Sequence, residues 1–239
     1  MKKVSNNIYE KKLNDFIIKV KEGDLTEENV DAIIVPEWYE KSIRSGLVKA
    51  IIKKNGNAKA FDDFDKIAEE RMLAPAENVI TESYSDKYKK IIHTTTCCPK
   101  KYENEIPMVR AAIYNAIIAG YKLGLRSFAF PALNTGNGGN LNNYTSANSI
   151  ILGFGDATEK IKVKENEEPS VSIVLTNKRI FEDFKEELSH YEQLGKGEDK
   201  FIHDDRINRF NDDFLGASPF SVTSEMYNDH IQSIKQNQR

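Results

Sequence analysis

The chain has 239 residues, 39% of them hydrophobic and 30% charged, with a formal net charge of −3. That size allows one large domain with extensions or two small ones, with a packed core and a well-solvated surface. The two signs are mixed along the chain, so nothing indicates a basic face for bulk binding to a nucleic-acid backbone; recognition of a single nucleotide stays open.

In chain order, residues 1–14 read as an N-terminal extension. The opening "MKKVSNNIYEKKLNDF" has a basic start but no apolar core of a secretory signal. A strand is predicted over Asp15–Val20, a turn at Gly23-Asp24, and a second strand over Asp31–Val35. Helices follow over Ser45–Lys54 and Ala58–Met72, the latter with a solvated charged face. Strands over Glu77–Thr81 and Lys90–Thr95 lead to Cys97 and Cys98, the chain's two cysteines. Adjacent cysteines with no third partner exclude a disulfide framework and fit a reducing compartment. A cytoplasmic location is therefore expected, with export into a host cytosol as the alternative. The four histidines are scattered, so neither a metal nor a cofactor is expected.

A long helix is predicted over Asn104–Leu123, where Ile106, Val109, Ile113, Ala116 and Gly120 form one stripe and Gly124 is a stop. A strand over Arg126–Phe130, a helix within Tyr144–Leu152, a strand over Val171–Leu175 and a helix over Arg179–Tyr191 complete the domain, expected to span 15–191. Arg110 and Arg126 read as surface residues. The 192–239 extension is too polar for a second core and reads as a strap or a tail. No apolar stretch approaches the ~20 residues that span a bilayer, so no membrane association is expected. Several strands are apolar on both faces ("AIIV", "FAF", "SIVL") and alternate with helices. This pattern predicts a three-layer α/β/α sandwich, with ligands beyond the carboxyl ends of the strands.

The stretch "RSFAFPALNTGNGGN" ends a buried strand in a loop with few side chains. Glycine lets the backbone approach a ligand closely, and successive amides in such a turn form an anion-binding concavity. Thr135-Gly136-Asn137-Gly138-Gly139 thus reads either as a diphosphate cradle or as a surface turn. Asp24, after a strand end, has the chemistry to accept from an adenine amino group or to cap a turn.

Taken together, these segments resemble a macrodomain, the ADP-ribose-binding module, from about Phe16 to Leu188. "KVKEGDLTEENVDAIIV" is similar to the family's opening strand, Gly-Asp turn and second strand, and "KKIIHTTT" to its strand ending in His. "MVRAAIYNAIIAGYKLGLRSFAFPALNTGNGG" resembles its long helix, next strand and diphosphate loop, and "SVSIVLTNKRIFEDFKEEL" its last strand and helix. The resemblance implies a mixed central sheet and a monomer whose partner is ADP-ribose or an ADP-ribosylated protein. It implies that Asp24 holds adenine N6, that Leu25 lines the adenine pocket, and that Asn134 to Gly139 wrap the diphosphate. Thr176 and Asn177 sit where the family often has an aromatic near adenine. Gly138 replaces an aromatic beside the distal ribose.

The chain departs from the family after the second strand. Hydrolytic members commonly carry Asn-Ala-Ala-Asn, a Gly-rich turn and an Asp there. Here Val35-Pro36-Glu37-Trp38, Arg44-Ser45-Gly46-Leu47 and Val48 stand in their places. Valine neither positions water nor accepts a proton, so the usual hydrolytic arrangement is absent. Ser45, Gly46 and Leu47 still offer amides to a phosphate. Glu37 or Glu40 as a general base, or Lys41 as a nucleophile, are the catalytic candidates; their alternative is as solvated loop charges. Trp38 and Tyr39 either close over the ribose or pack on the C-terminal segment. Three functions follow: an ADP-ribose-binding module, a divergent ADP-ribosyl hydrolase, or an interaction scaffold without ligand.

Overall fold

The computed structural model describes residues 7–71, 73–97, 105–135 and 141–194. Among the described residues seven strands are formed: β1 (Ile8–Leu13), β2 (Phe16–Glu22), β3 (Val30–Trp38), β4 (Asn78–Glu82), β5 (Tyr88–Cys97), β6 (Ser127–Phe130) and β7 (Ser170–Leu175). The helices are α1 (Gly46–Asn55), α2 (Lys59–Glu70), α3 (Glu105–Lys122), α4 (Asn143–Lys160) and α5 (Lys178–Leu194). One sheet has the order β1-β2-β7-β6-β3-β5-β4. Its five inner strands are parallel and its two edge strands antiparallel.

Period-two alternation sorts the side chains into the two outer layers. On β3, Ala32 and Ile34 join β2, β6, β7 and residues of α3, α4 and α5 in the larger core. Ile33 and Val35 point the other way, into a smaller cluster with Val48 and Ile51 of α1 and Phe61 of α2. The fold is the three-layer sandwich with a mixed sheet that the alternation and the resemblance anticipate. Helices α3 and α4 pack closely: a Cβ added at Gly153 would lie 2.3 Å from the Arg110 carbonyl oxygen.

Strand β1 falls within the segment that the sequence assigns to an N-terminal extension. Of its six residues only Leu13 is buried, and the strand is held by its ladder to β2. Backbone pairing of this kind leaves no apolar signature. Helix α5 runs to Leu194, past the expected boundary at Tyr191. The rest of the C-terminal extension lies outside the described residues.

Arg110 and Arg126 are correspondingly not free surface residues. Arg110 makes a two-pronged pair with Asp156 at 2.6 and 3.0 Å. Arg126 pairs with Glu167 and lies 3.9 Å above the Tyr121 ring.

At the amino end of the sheet, Asp31 joins β3 to β6. Its Oδ2 accepts from the amides of Arg126 at 2.8 Å and Ser127 at 3.1 Å, while Ser127 Oγ accepts from the Asp31 amide at 2.8 Å. Lys89 Nζ stands 2.7 Å from Oδ1. Burial pushes the Asp31 carboxyl up, but the Lys89 ammonium and the two amides outweigh it and hold the group below the usual aspartate range.

Candidate functional site

The carboxyl ends of the parallel strands gather the residues singled out from sequence. After β2, Asp24 is exposed and N-caps a single 3-10 turn, Leu25–Glu27. Its Oδ1 accepts from the Thr26 amide at 2.9 Å and hydroxyl at 2.8 Å. The capping role is thus present in the unliganded chain. Leu25 is only 3% exposed and packs with Ile33, Val35, Val48 and Val174 beneath this end of the sheet. After β7, Thr176 and Asn177 are exposed, and Asn177 Oδ1 accepts from the Arg179 amide at 2.8 Å at the start of α5.

After β6, Asn134 forms the stem of the Gly/Asn loop. It adopts the left-handed region at φ 57°, which Asn tolerates better than most residues, and is 5% exposed. Its Nδ2 donates to the Thr96 carbonyl at 2.7 Å and approaches Glu105 Oε2 at 3.4 Å. Its own carbonyl accepts from Leu141 at 3.0 Å, closing the loop at its base. The neighbouring Leu133 carbonyl accepts from Ser146 Oγ at 2.7 Å, and Asn142 caps α4. Thr135 is half-buried. Gly136, Asn137, Gly138 and Gly139 lie outside the described residues.

The Thr96 carbonyl owes this role to an irregularity. Glu37 pairs with Thr95, but Trp38 pairs with Cys97, so β5 holds one extra residue between them. Bulges of this kind re-aim groups near strand ends.

Past β3, the segment 39–45 is fastened by side chains. Glu37 is fully buried, and both its oxygens are engaged. Oε1 accepts from Ser42 Oγ at 3.1 Å and Oε2 from the Ile43 amide at 2.9 Å. Glu37 is thus not the solvated loop charge that the sequence also allows: its side chain holds the loop. Asp65 Oδ1 accepts from the Ser42 amide at 2.5 Å, and Arg44 bridges Asp62 and Asp65 at 2.9 and 2.7 Å. Arg44 itself sits at φ 42°, a backbone angle uncommon outside glycine.

Ser45 caps α1 by accepting from Val48 at 3.3 Å. The Gly46 and Leu47 amides, at the first two helical positions, have no intrahelical acceptor. Glu40 and Lys41 are both exposed.

Behind Glu37 stands His93, fully buried, its Nδ1 3.5 Å from Glu37 Oε1 and its Nε2 3.0 Å from Thr81 Oγ1. The ring is stacked on Phe64 at 4.8 Å and meets Phe61 edge-on at 5.3 Å. Tyr39 packs beside Phe64, Ala68, Leu73 and Val79. Trp38 is half-buried, and its buried Nε1 has no acceptor among the described residues. Asp62, Asp65, Thr96 and Glu105 were not singled out from sequence. The available signal was the i, i+3 spacing of Asp62 and Asp65, which puts both on one helix face opposite Arg44.

Among the described residues, no helix is long and apolar enough to cross a membrane, and no group of three or more His, Cys, Asp or Glu stands ready to hold a metal ion.

The family model described as Macro domain matches residues 40–148. An uncharacterized protein of Thermotoga maritima is 31% identical over 121 residues, half of this chain but only 20% of that protein's length. Two solved structures share the fold. The Oceanobacillus iheyensis macrodomain with ADP superposes with a TM-score of 0.68 at 20% identity, covering 79% of this chain and 98% of that one. The Trypanosoma brucei macrodomain in complex with ADP-ribose gives 0.57 at 17% identity, covering 71% and 68%.

Proposed function

We propose that this chain, a macrodomain by fold, binds ADP-ribose, free or attached to protein, across the carboxyl ends of β2, β6 and β3. The observation that carries this reading is the pinned stem of the Gly/Asn loop. Asn134 is buried, left-handed, bonded to the Thr96 carbonyl and closed onto Leu141. A stem ordered in advance reduces the entropy lost when loop amides converge on a diphosphate.

In this reading Thr135, Gly136, Asn137, Gly138 and Gly139 supply the cradle. The Gly46 and Leu47 amides at the head of α1 add positive potential, with Ser45 fixing that helix end. Asp24 accepts from the adenine amino group. Because Thr176 and Asn177 offer no aromatic face, the purine lacks a stacking partner at that position, and the affinity is correspondingly modest.

Titration calorimetry with ADP-ribose tests the reading. A saturable heat, with a matching rise in melting temperature, is expected at micromolar to millimolar ligand. Absence of both at millimolar ADP-ribose rejects it. Hydrolysis is the weaker alternative: with Glu37 committed to the loop, Glu40 and Lys41 remain as candidates, both exposed. Release of ADP-ribose from Asp/Glu-, Ser- or Arg-linked substrates, abolished in the Glu40→Ala/Lys41→Ala double variant, would establish it over binding alone.

A further inference from the structure

Strand β1 is one edge of the sheet, and no described strand pairs with its outer side. Its ladder with β2 fixes which backbone groups face outward. The Glu22 amide donates to the Asn7 carbonyl at 2.9 Å, and the register continues from Ile8↔Lys21 to Leu13↔Phe16. Bonded positions alternate in an antiparallel pair, so Asn7, Tyr9, Lys11 and Leu13 bond to β2. Ile8, Glu10 and Lys12 therefore turn their N–H and C=O groups away from the sheet. All three are exposed, Ile8 at 52%. Such a row is a template for another strand, and charges placed on it ordinarily deter pairing.

Here the outward charges differ in sign, and one register turns the deterrent into an attraction. Two copies of β1 about a twofold axis normal to the sheet pair antiparallel, with opposed residues on the same face. Centring the pair on Glu10 sets that carboxylate against itself, which is repulsive. Centring it on Tyr9 sets Glu10 against Ile8. Centring it on Lys11 sets each Glu10 against Lys12 of the second copy, and these are the positions that exchange backbone bonds. Glu10 already stands 3.2 Å from Lys19 on β2, so the ion pairs run from Lys19 to Glu10 to Lys12 across the seam. Tyr9 meets Leu13 on the other face. Lys11 faces its own copy, but its Nζ reaches α5, 3.5 Å from the Leu188 carbonyl. The opposite edge lacks this complementarity. On β4, the Glu77 carbonyl accepts from Thr95, and Ser83 donates to the Lys89 carbonyl, so Asn78, Ile80 and Glu82 face outward. No register of these residues against themselves joins opposite charges.

We infer that the edge of β1 is the interface of a symmetric dimer of this chain, paired antiparallel about Lys11. The family resemblance implies a monomer, and the inference is independent of the ADP-ribose reading. In the dimer the inner strands of the two copies run in opposite directions, so their carboxyl ends open on opposite sides. A ladder this short makes a weak dimer, with a dissociation constant on the order of 100 µM.

Sedimentation velocity on the full chain tests this, from about 5 to about 500 µM. The wild-type mass should rise from monomer toward dimer across that range. Glu10→Lys and Lys12→Glu should each keep the chain monomeric, because either makes both cross-seam pairs like-charged. An equimolar mixture of the two variants should dimerise again, since one then presents only cations and the other only carboxylates. Exchange of the Glu10 and Lys12 amides, followed by NMR, should slow as the wild-type concentration rises.

A wild-type mass that stays monomeric at the highest concentration overturns the inference. So does a dimer that survives both substitutions, or a mixture of the variants that stays monomeric. Glu10 and Lys12 amides already protected in the dilute monomer also overturn it, since another stretch of the same chain would then occupy the edge.

Discussion

The two ends of the parallel sheet are built differently. At the amino end, polar groups are paired off. Asp31 takes the Arg126 and Ser127 amides and the Lys89 ammonium. Arg126 donates to Glu167 and to the carbonyls of Tyr121 and Leu125. At the carboxyl end, pairing is incomplete. Among the described residues, the buried side-chain nitrogen and oxygen atoms without a hydrogen-bond partner belong to Trp38, Asn78, His93 and Thr94. Asn78 lies directly opposite Thr94 on β4, so all four sit toward the same end. Buried polar groups left unpaired cost stability, and here they concentrate at one end of the sheet while the other end is paired.

That contrast can be broken by substitution. The largest effect is expected at Glu37, where the carboxyl end does carry structural duty. Glu37→Ala should lower the unfolding free energy by about 3 kcal/mol, because two hydrogen bonds to a buried carboxyl group are lost. Glu37→Gln should lose less, since an amide oxygen can still accept from Ile43. Denaturant unfolding measures both, and a cost near zero for Glu37→Ala would remove the clamp from the account.

Next comes Asp31→Ala, expected to cost about 2 kcal/mol while leaving ADP-ribose affinity within twofold. A variant of equal stability and weakened binding would erase the distinction between the two ends. The same residue gives a pH dependence. A carboxyl depressed in the folded state contributes stability that is present above its unfolded pKa and is lost as pH falls through the folded one. The gap between wild type and Asp31→Ala should therefore be full at neutral pH and begin to close below about pH 4. Chemical denaturation at several pH values would record it. The smallest change is Ser45→Ala, which removes the α1 cap and should cost about 1 kcal/mol. A small loss of ADP-ribose affinity is expected alongside, read by calorimetry.

The strands and helices were legible because their periods differ and the inner strands are apolar on both faces. Strand β1 was not, because an edge strand with one buried residue carries no apolar alternation; its information resides in pairing with β2. The stem of the loop at Asn134 could be recognised from its Gly/Asn composition. Its anchor could not, since the Thr96 carbonyl is brought to it from 38 residues away by the sheet. The burial of Glu37 was not legible for a related reason. A glutamate near a chain reversal looks solvated until the reversal turns the Ser42 hydroxyl and the Ile43 amide back upon it. The "DDFD" run of α2 likewise looked like a water-facing stripe, and only the fold sets Asp62 and Asp65 opposite Arg44.

Regularity and tethering compete for one residue in β5. A strand in which every carbonyl meets its neighbour has none to spare for a crossing segment. By interrupting the match between β3 and β5, the additional Thr96 frees an oxygen at the rim, and Asn134 takes it. Trimming that residue away would give a tidier sheet whose Gly/Asn loop had lost one of its moorings.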